Sequence, residues 1–320
     1  MRPSPPLVSV VIPTRNRARL VGRAVESVLS QTYGHFELIV VVDGPDPTTV
    51  ERLQRFAAPN LRVVEHETSQ GAAASRNTGI ALASGTWIAF LDDDDLWEPT
   101  KLERQVAAAL ADGDPKVVVT CLSQVVTALG RYVWPRSPYD GRMPLDEYLF
   151  DRREPFKGGA FLQTSTLMVP RALFVDLGFA GFAHPHEDWD LGLRAVKEFG
   201  YRLITVPESL SVHFTEDEHE SVSRKFDWRE SVAWLEGLGK IVSPRAYAGF
   251  CLTIISPQAA QNGDLGDFFA LLKIAFAKGR PRLYHVVFHC ALWIVPVQLR
   301  RRIRNRLSGR DRPSAAAADR

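Results

Sequence analysis

The chain has 320 residues, 45% of them hydrophobic and 24% charged, with 39 Lys+Arg against 37 Asp+Glu and a net charge of +2. That length suffices for one large α/β domain or two medium ones around a sizeable core. Cys121, Cys251 and Cys290 lie far apart and form no CxxC pair, which argues against a disulfide framework or thiolate zinc site and fits a reducing cytosol. The stretch Met1–Pro6 is polar and proline-rich and lacks the apolar core of a signal peptide, so a cytoplasmic protein is expected. The near-neutral total says little about partners; its local clustering says more. Acidic residues gather at Asp92–Asp95 and Glu216–Glu220, and arginines from Arg300 onward.

Strand and helix signals alternate along the first hundred residues. Leu7–Ile12 is a β-branched apolar run stopped by Pro13 and reads as a buried strand. Ala18–Ser30 places Leu20, Ala24 and Val28 at helical spacing, Phe36–Val42 is a second buried strand, and Pro47–Phe56 a helix. Leu61–Val64 reads as a third strand, the alanine-rich Ala72–Ala83 as a helix ending at Ser84-Gly85, and Trp87–Leu91 as the next strand. Pro99 suits the first turn of a helix over Thr100–Ala111. Farther on, Val117–Leu122, Thr166–Val169 and Tyr201–Val206 read as strands and Glu187–Phe199 as an amphipathic helix.

This alternation predicts βαβ units and a Rossmann-like, mostly parallel sheet flanked by helices. Ligands of such sheets gather at the carboxyl ends of strands. Three polar turns lie at such ends: Pro13–Arg17, Asp43–Asp46 and Asp92–Asp95. Four consecutive carboxylates repel one another and call for compensation, most readily by a divalent cation such as Mg²⁺ or Mn²⁺, whose hard oxygen ligands are carboxylates and phosphates. In an extended segment residues two apart point the same way, so Asp92 and Asp94 should face one ligand, and Asp93 and Asp95 another surface.

Two stretches, VSVVIPTRNRARLVGRAVESVLSQTYGHFELIVVVDG and GAAASRNTGIALASGTWIAFLDDDDLWEPTKLERQ, resemble the family 2 glycosyltransferases of GT-A fold. They cover about the first third of the chain, in that family's order and spacing. The resemblance implies inverting transfer from a nucleotide-sugar donor, by default a UDP-sugar. It also implies that Pro13, Thr14 and Arg15 line the nucleobase edge and that Asp43 hydrogen-bonds base or ribose. Arg76 would approach the base or diphosphate, Asp92 the ribose with Asp93 beside it, and Asp94 would hold the metal. One departure stands out: Val42 precedes a single Asp43 where many members carry two adjacent acids.

The segment Glu187-Asp188-Trp189-Asp190 resembles the family's acidic pair on the acceptor side, with Asp188 as general base and Glu187 as second candidate. Acids are also favoured at a helix N-terminus for electrostatic reasons alone. His213, at the end of a later strand, reaches the metal or diphosphate in some relatives. His184 and His186 offer a weak zinc alternative. Trp97 and Trp189 suit either a sugar platform or the core.

Leu283–Leu299 is apolar but short for a bilayer span, and Arg300–Arg306 follows it. That pairing suits peripheral contact with an anionic membrane, or a core helix with a solvated basic end. No recognition module for nucleic acid accompanies it. The expected organisation is a GT-A domain over 1–225, a C-terminal helical extension over 226–310, and a disordered tail over 311–320. Within the domain, about 5–110 holds the donor and 111–225 builds the acceptor side. The acceptor is expected to be a saccharide or lipid-linked, in cell-surface polysaccharide or glycolipid assembly. A nucleotidylyltransferase or an inactive nucleotide-sugar-binding module are the alternatives.

Overall fold

The computed structural model describes residues 4–127, 130–151, 159–177, 186–215, 227–295 and 299. The chain packs as two compact units, Met1–Leu149 with Ala160–Phe226, and Phe150–Gly159 with Asp227–Arg320. An uninterrupted first domain over 1–225 therefore needs correction, because Phe150–Gly159 groups with the C-terminal unit.

The first unit is built on a nine-stranded sheet of order β3-β2-β1-β4-β8-β6-β9-β5, with β7 paired to β6. Its first half runs β1 (Val8–Thr14), α1 (Ala18–Leu29), β2 (Phe36–Val42), α2 (Pro47–Gln54), β3 (Leu61–Glu65), α3 (Ala72–Leu82) and β4 (Trp87–Phe90). It continues through β5 (Leu96–Trp97), α4 (Lys101–Asp112), β6 (Val117–Thr127), β7 (Gly130–Trp134), α5 (Leu145–Phe150), β8 (Met168–Pro170), α6 (Leu173–Asp176), α7 (Glu187–Lys197) and β9 (Arg202–Phe214). The ladders β3-β2-β1-β4 and β6-β9 are parallel and hold most of the paired residues; β8, β5 and β7 add antiparallel pairings. By ladder length the sheet is mostly parallel, flanked by helices, as the sequence pattern implied.

Every residue of β1 is buried, and β2 is buried except at Glu37. Such β-branched runs suit strands covered on both faces. Pro13 does not stop β1; it pairs with Val41 inside the strand. The β4 ladder ends at Val11–Phe90 and Thr14 O accepts from Asp43 N on the β2 side. By strand alternation the nitrogen of Pro13 thus points past the end of β4, where no ladder bond is missed. Gly79 brings α3 onto this strand, since a Cβ there would lie 2.4 Å from Val11 Cγ1. That close approach fixes where Arg76, one turn earlier on α3, can reach.

The C-terminal unit is helical: α8 (Trp228–Gly237), α9 (Pro244–Gly249), a π-helical stretch Phe250–Ile255, α10 (Ser256–Asn262), α11 (Leu265–Lys278) and α12 (Leu283–Ile294). Pro257 lacks the amide that an α-helical turn would direct at Thr253, and the helix widens just before it. Phe150 meets Phe250 edge-on at 5.0 Å, and His285 Nε2 lies 2.9 Å from Asp151 Oδ1. No helix of the described residues is long and apolar enough to cross a membrane. Glu216–Glu220, Arg300–Arg306 and the tail 311–320 lie outside the described residues.

Candidate active site

The turns after β1, β2 and β4 come together because these strands are parallel neighbours. Asp46 links two of them. Its Oδ2 accepts from the Asn16 amide at 2.8 Å, and its Oδ1 caps α2 by accepting from Thr49 N at 3.1 Å. The turns after β1 and β4 meet where Asp93 accepts from Thr14 Oγ1 at 2.7 Å and Arg17 Nη1 at 2.8 Å.

The four aspartates are not the extended run expected: Asp95 N donates to Asp92 O at 3.1 Å and closes a turn, although burial still alternates along it. Asp93 and Asp95 are buried, whereas Asp92 and Asp94 stay partly exposed. Asp95 accepts from Gln163 Nε2 and Ser165 Oγ, both at 2.6 Å, and lies 2.9 Å from His213 Nδ1. Asp93 was expected at the nucleotide. Its oxygens are instead taken up inside the protein, and burial raises its pKa despite the opposing Arg17. Asp94 contacts Arg17 Nη1 at 3.1 Å. Burial and repulsion from Asp95, Asp92 and Asp93 together push its pKa up to about 7.

Arg76 joins this loop to the other half of the unit. Its side chain is 5% exposed, and Nη2 donates to Asp92 Oδ1 at 2.6 Å while Nη1 pairs with Glu187 at the start of α7. Burial disfavours the guanidinium charge, but Asp92, Glu187 and Asp188 outweigh it and raise the pKa. Glu187 in turn is raised, chiefly by burial. Asp188 accepts from the Thr164 hydroxyl. Burial, Glu187 and Asp92 push its pKa up to about 7, the range suited to a base at neutral pH.

The remaining expected site residues divide sharply. Asp43 is 5% exposed and serves the loop that leads into α3. Its carboxylate takes Gln70 N at 2.8 Å, Ser69 Oγ at 2.7 Å, Gly71 N at 2.9 Å and faces His66 Nδ1 at 3.1 Å. Burial opposes its charge, but the Gln70 amide, Ser69, His66 and Gly71 hold the pKa at about 2. About four acceptor directions are all a carboxylate has, so contact with a base or ribose would have to displace one of these donors. Pro13 is buried in its strand and Arg15 is exposed, while Arg17 makes the contacts to the aspartates. Trp97 is a core residue whose Nε1 donates to Ser165 O at 2.8 Å, so the sugar-platform option falls for it. His186 stacks on Trp189 with ring centroids 5.1 Å apart, and His184 lies outside the described residues.

No three carboxylate, imidazole or thiol groups converge in metal-holding geometry among the described residues. The donor chemistry still fits a hard divalent cation. Such ions take only one or two protein ligands when phosphate oxygens and waters complete the shell. Asp94 is partly exposed, and Arg17 only partly offsets its repulsion from the neighbouring aspartates. His213 directs Nδ1 at Asp95, and the neighbouring aspartates raise its pKa to about 9 against the effect of burial. An imidazolium donates from both nitrogens, so His213 could serve a cation as ligand only after giving up the proton on its other nitrogen.

Sequence reasoning missed Arg17 and the segment Gln163-Thr164-Ser165. This segment precedes and enters a 3₁₀ turn over Thr164–Thr166. It binds Asp95 through Gln163 and Ser165, Asp188 through Thr164, and the Asp92 amide through Ser165 Oγ at 3.1 Å. The available signal was a run of small polar residues directly before the apolar Leu167–Val169.

Residues 9–178 match the model of the family described as glycosyl transferase family 2. The Escherichia coli UDP-Glc:alpha-D-GlcNAc-diphosphoundecaprenol beta-1,3-glucosyltransferase WfgD is 38% identical over 104 residues, which cover 32% of this chain and 41% of that protein. The amylovoran biosynthesis glycosyltransferase AmsB of Erwinia amylovora is 26% identical over 239 residues, 72% of this chain and 77% of AmsB. Among solved structures, the mannosyltransferase PcManGT from Pyrobaculum calidifontis, in complex with GDP-Man and Mn²⁺, superposes with a TM-score of 0.59. It is 22% identical and the match covers 95% of this chain and 85% of that one. This likeness places the fold in the GT-A class.

Proposed function

Because the chain belongs to glycosyl transferase family 2, we propose that it transfers a sugar, with inversion, from a nucleotide-diphosphate donor to an acceptor hydroxyl, using a divalent cation. The observation that carries this reading is the Arg76 bridge, which ties Asp92 of the four-aspartate turn to Glu187 beside the partly exposed Asp188. Donor-side and acceptor-side carboxylates thereby share one site.

In the proposed reaction Asp188 takes the proton from the acceptor hydroxyl. The acceptor oxygen forms its bond to the anomeric carbon as the bond to the diphosphate oxygen breaks, and the nucleoside diphosphate leaves. Thr164 fixes the orientation of the Asp188 carboxyl by donating to Oδ1. Glu187 is held by Arg76 and supplies the repulsion that keeps Asp188 basic. Arg76 and Arg17 supply positive charge beside the turn where the diphosphate would lie. Asp94, with His213 as second ligand, would hold Mn²⁺ or Mg²⁺, which when bound neutralises charge developing on the leaving diphosphate. Asp43 then acts by shaping the Ser69–Gly71 loop next to the nucleotide.

A UDP-sugar is the default donor, in keeping with the UDP-Glc named for WfgD. A saccharide or lipid-linked acceptor in polysaccharide or glycolipid assembly is in keeping with the lipid-linked acceptor named for WfgD and the polysaccharide named for AmsB, and a cytoplasmic setting suits such donors. The test is a panel of nucleotide-sugars assayed for nucleoside diphosphate release with and without Mn²⁺. Transfer predicts metal-dependent diphosphate release that Asp188→Asn abolishes in the presence of acceptor while donor binding persists. Release of pyrophosphate would instead indicate nucleotidylyl transfer, and binding without turnover across the panel an inactive module.

A further inference from the structure

The C-terminal unit carries two outward apolar stripes. On α11 they are Leu265, Phe269 and Phe276, and on α12 Leu283, Val287 and Ile294, each more than half exposed. Both sets follow the spacing i, i+4, i+11. At 100° per residue this keeps each set within about 40° of one line along its helix. The opposite faces are already used: Leu271 and Ala275 on α11, and His285, His289 and Leu292 on α12, are buried. Both helices pack on the Phe250–Ile255 stretch. Phe268 stacks on His289 at 4.6 Å and meets Trp293 edge-on at 5.5 Å, joining the start of α11 to the later part of α12 as a hairpin.

Asp264 and Asp267 flank Leu265 at the start of α11, Asp267 being paired with Arg229, and beyond them the charge is one-sided. From Phe268 to Arg310 the sequence holds ten Lys and Arg and no Asp or Glu. Lys278 is engaged by Glu236 at 2.6 Å, whereas Lys273 and Arg280 are exposed, and the sequence continues into Arg300–Arg306. We propose that the outward face of the α11–α12 hairpin docks on an anionic lipid surface, its apolar stripes entering the headgroup boundary and the flanking cations meeting lipid phosphates. The 12 described residues of α12 rise about 18 Å, short of a hydrocarbon core of about 30 Å. The proposal rests on the transfer reading only for its purpose, bringing the enzyme to a lipid-linked acceptor.

The test is flotation of the full chain with vesicles of phosphatidylcholine alone or mixed in equal parts with phosphatidylglycerol. The wild-type chain should float with the mixed vesicles, bind pure phosphatidylcholine several-fold more weakly, and lose that preference at high salt. Phe269→Asp combined with Phe276→Asp should lower the partition coefficient about a hundred-fold or more. The helical circular dichroism should be unchanged, because both side chains lie outside the core. Leu110→Asp, at an exposed apolar position of α4, should float like wild type. Three results would overturn the proposal: no flotation of the wild type, equal flotation of the double variant, or a wild-type dimer that binds no vesicles and that the double variant dissociates. Flotation needs no turnover, so failure here leaves the transfer chemistry standing, and inactivity in the donor panel leaves flotation unaffected.

Discussion

Arg76→Gln removes the only guanidinium that touches both Asp92 and Glu187 among the described contacts. Breaking a buried ion pair by deleting one partner typically costs about 3–5 kcal/mol, because the remaining charge is left uncompensated. Here the Asp92 and Glu187 side chains keep 28% and 21% exposure. Solvent recovers part of that loss, leaving about 2–3 kcal/mol. For a domain of this size the melting temperature should fall by about 5–10 °C. The pH dependence has a definite sign. Burial already raises the Glu187 pKa and Arg76 opposes it, so the variant's folded Glu187 carboxyl titrates further above its unfolded value. Its penalty is complete above the folded pKa and is relieved as a proton binds below it. The stability gap between variant and wild type should therefore narrow from pH 7 to pH 5 in paired thermal melts. A gap at pH 7 below about 2 °C, or one that widens on acidification, would refute the bridging role.

The Asp188 carboxyl, raised to about 7 by burial and its acidic neighbours, must be ionised to act as base, so kcat should fall about tenfold per pH unit below 7. Asp188→Asn should lower kcat by about 10²–10⁴ with little change in donor KM, a split read from initial rates. Asp43→Ala should cost about 2 kcal/mol in urea unfolding by releasing the Ser69–Gly71 loop. With a folded pKa of about 2, that stabilisation is present above the unfolded carboxylate range near pH 4 and is lost as pH falls towards 2. Gly79→Ala should destabilise by about 1–3 kcal/mol through overpacking on Val11, and Val11→Ala in the same chain should recover part of it.

Much of this architecture was written in local pattern. Phe36–Val42 is a strand over the expected residues, and α1 and α3 begin at Ala18 and Ala72 as expected. Continuous β-branched runs leave little choice of environment. The turn at Asp92–Asp95 was not legible: a period of two was expected of extended backbone, whereas the Asp95 amide bonds back to Asp92 O and bends the chain there. Nor were roles set by the neighbouring chain. Asp43 looks equally apt for a ligand or a loop, and only the position of the Gln70 and Gly71 amides reveals that it closes the loop. Arg17 rather than Arg15 meets the aspartates, since Asn16 takes a positive φ of 53° and redirects the chain between them. Gln163–Ser165 carry no motif of their own; they matter because β8 runs antiparallel beside β4 and delivers them to the four-aspartate turn. The boundary at Phe150 was equally silent, being set by Phe250 and His285 a hundred residues away or more.

The central claim is that a cation held by the turn after β4 meets the donor's diphosphate there. A crystal soaked with a nucleoside diphosphate and Mn²⁺, with anomalous differences recorded for manganese, tests it most directly. The expected peak lies against an Asp94 oxygen, with the diphosphate beside it and Asp188 facing the open side. A nucleotide bound elsewhere, or a manganese peak away from Asp94, would contradict it.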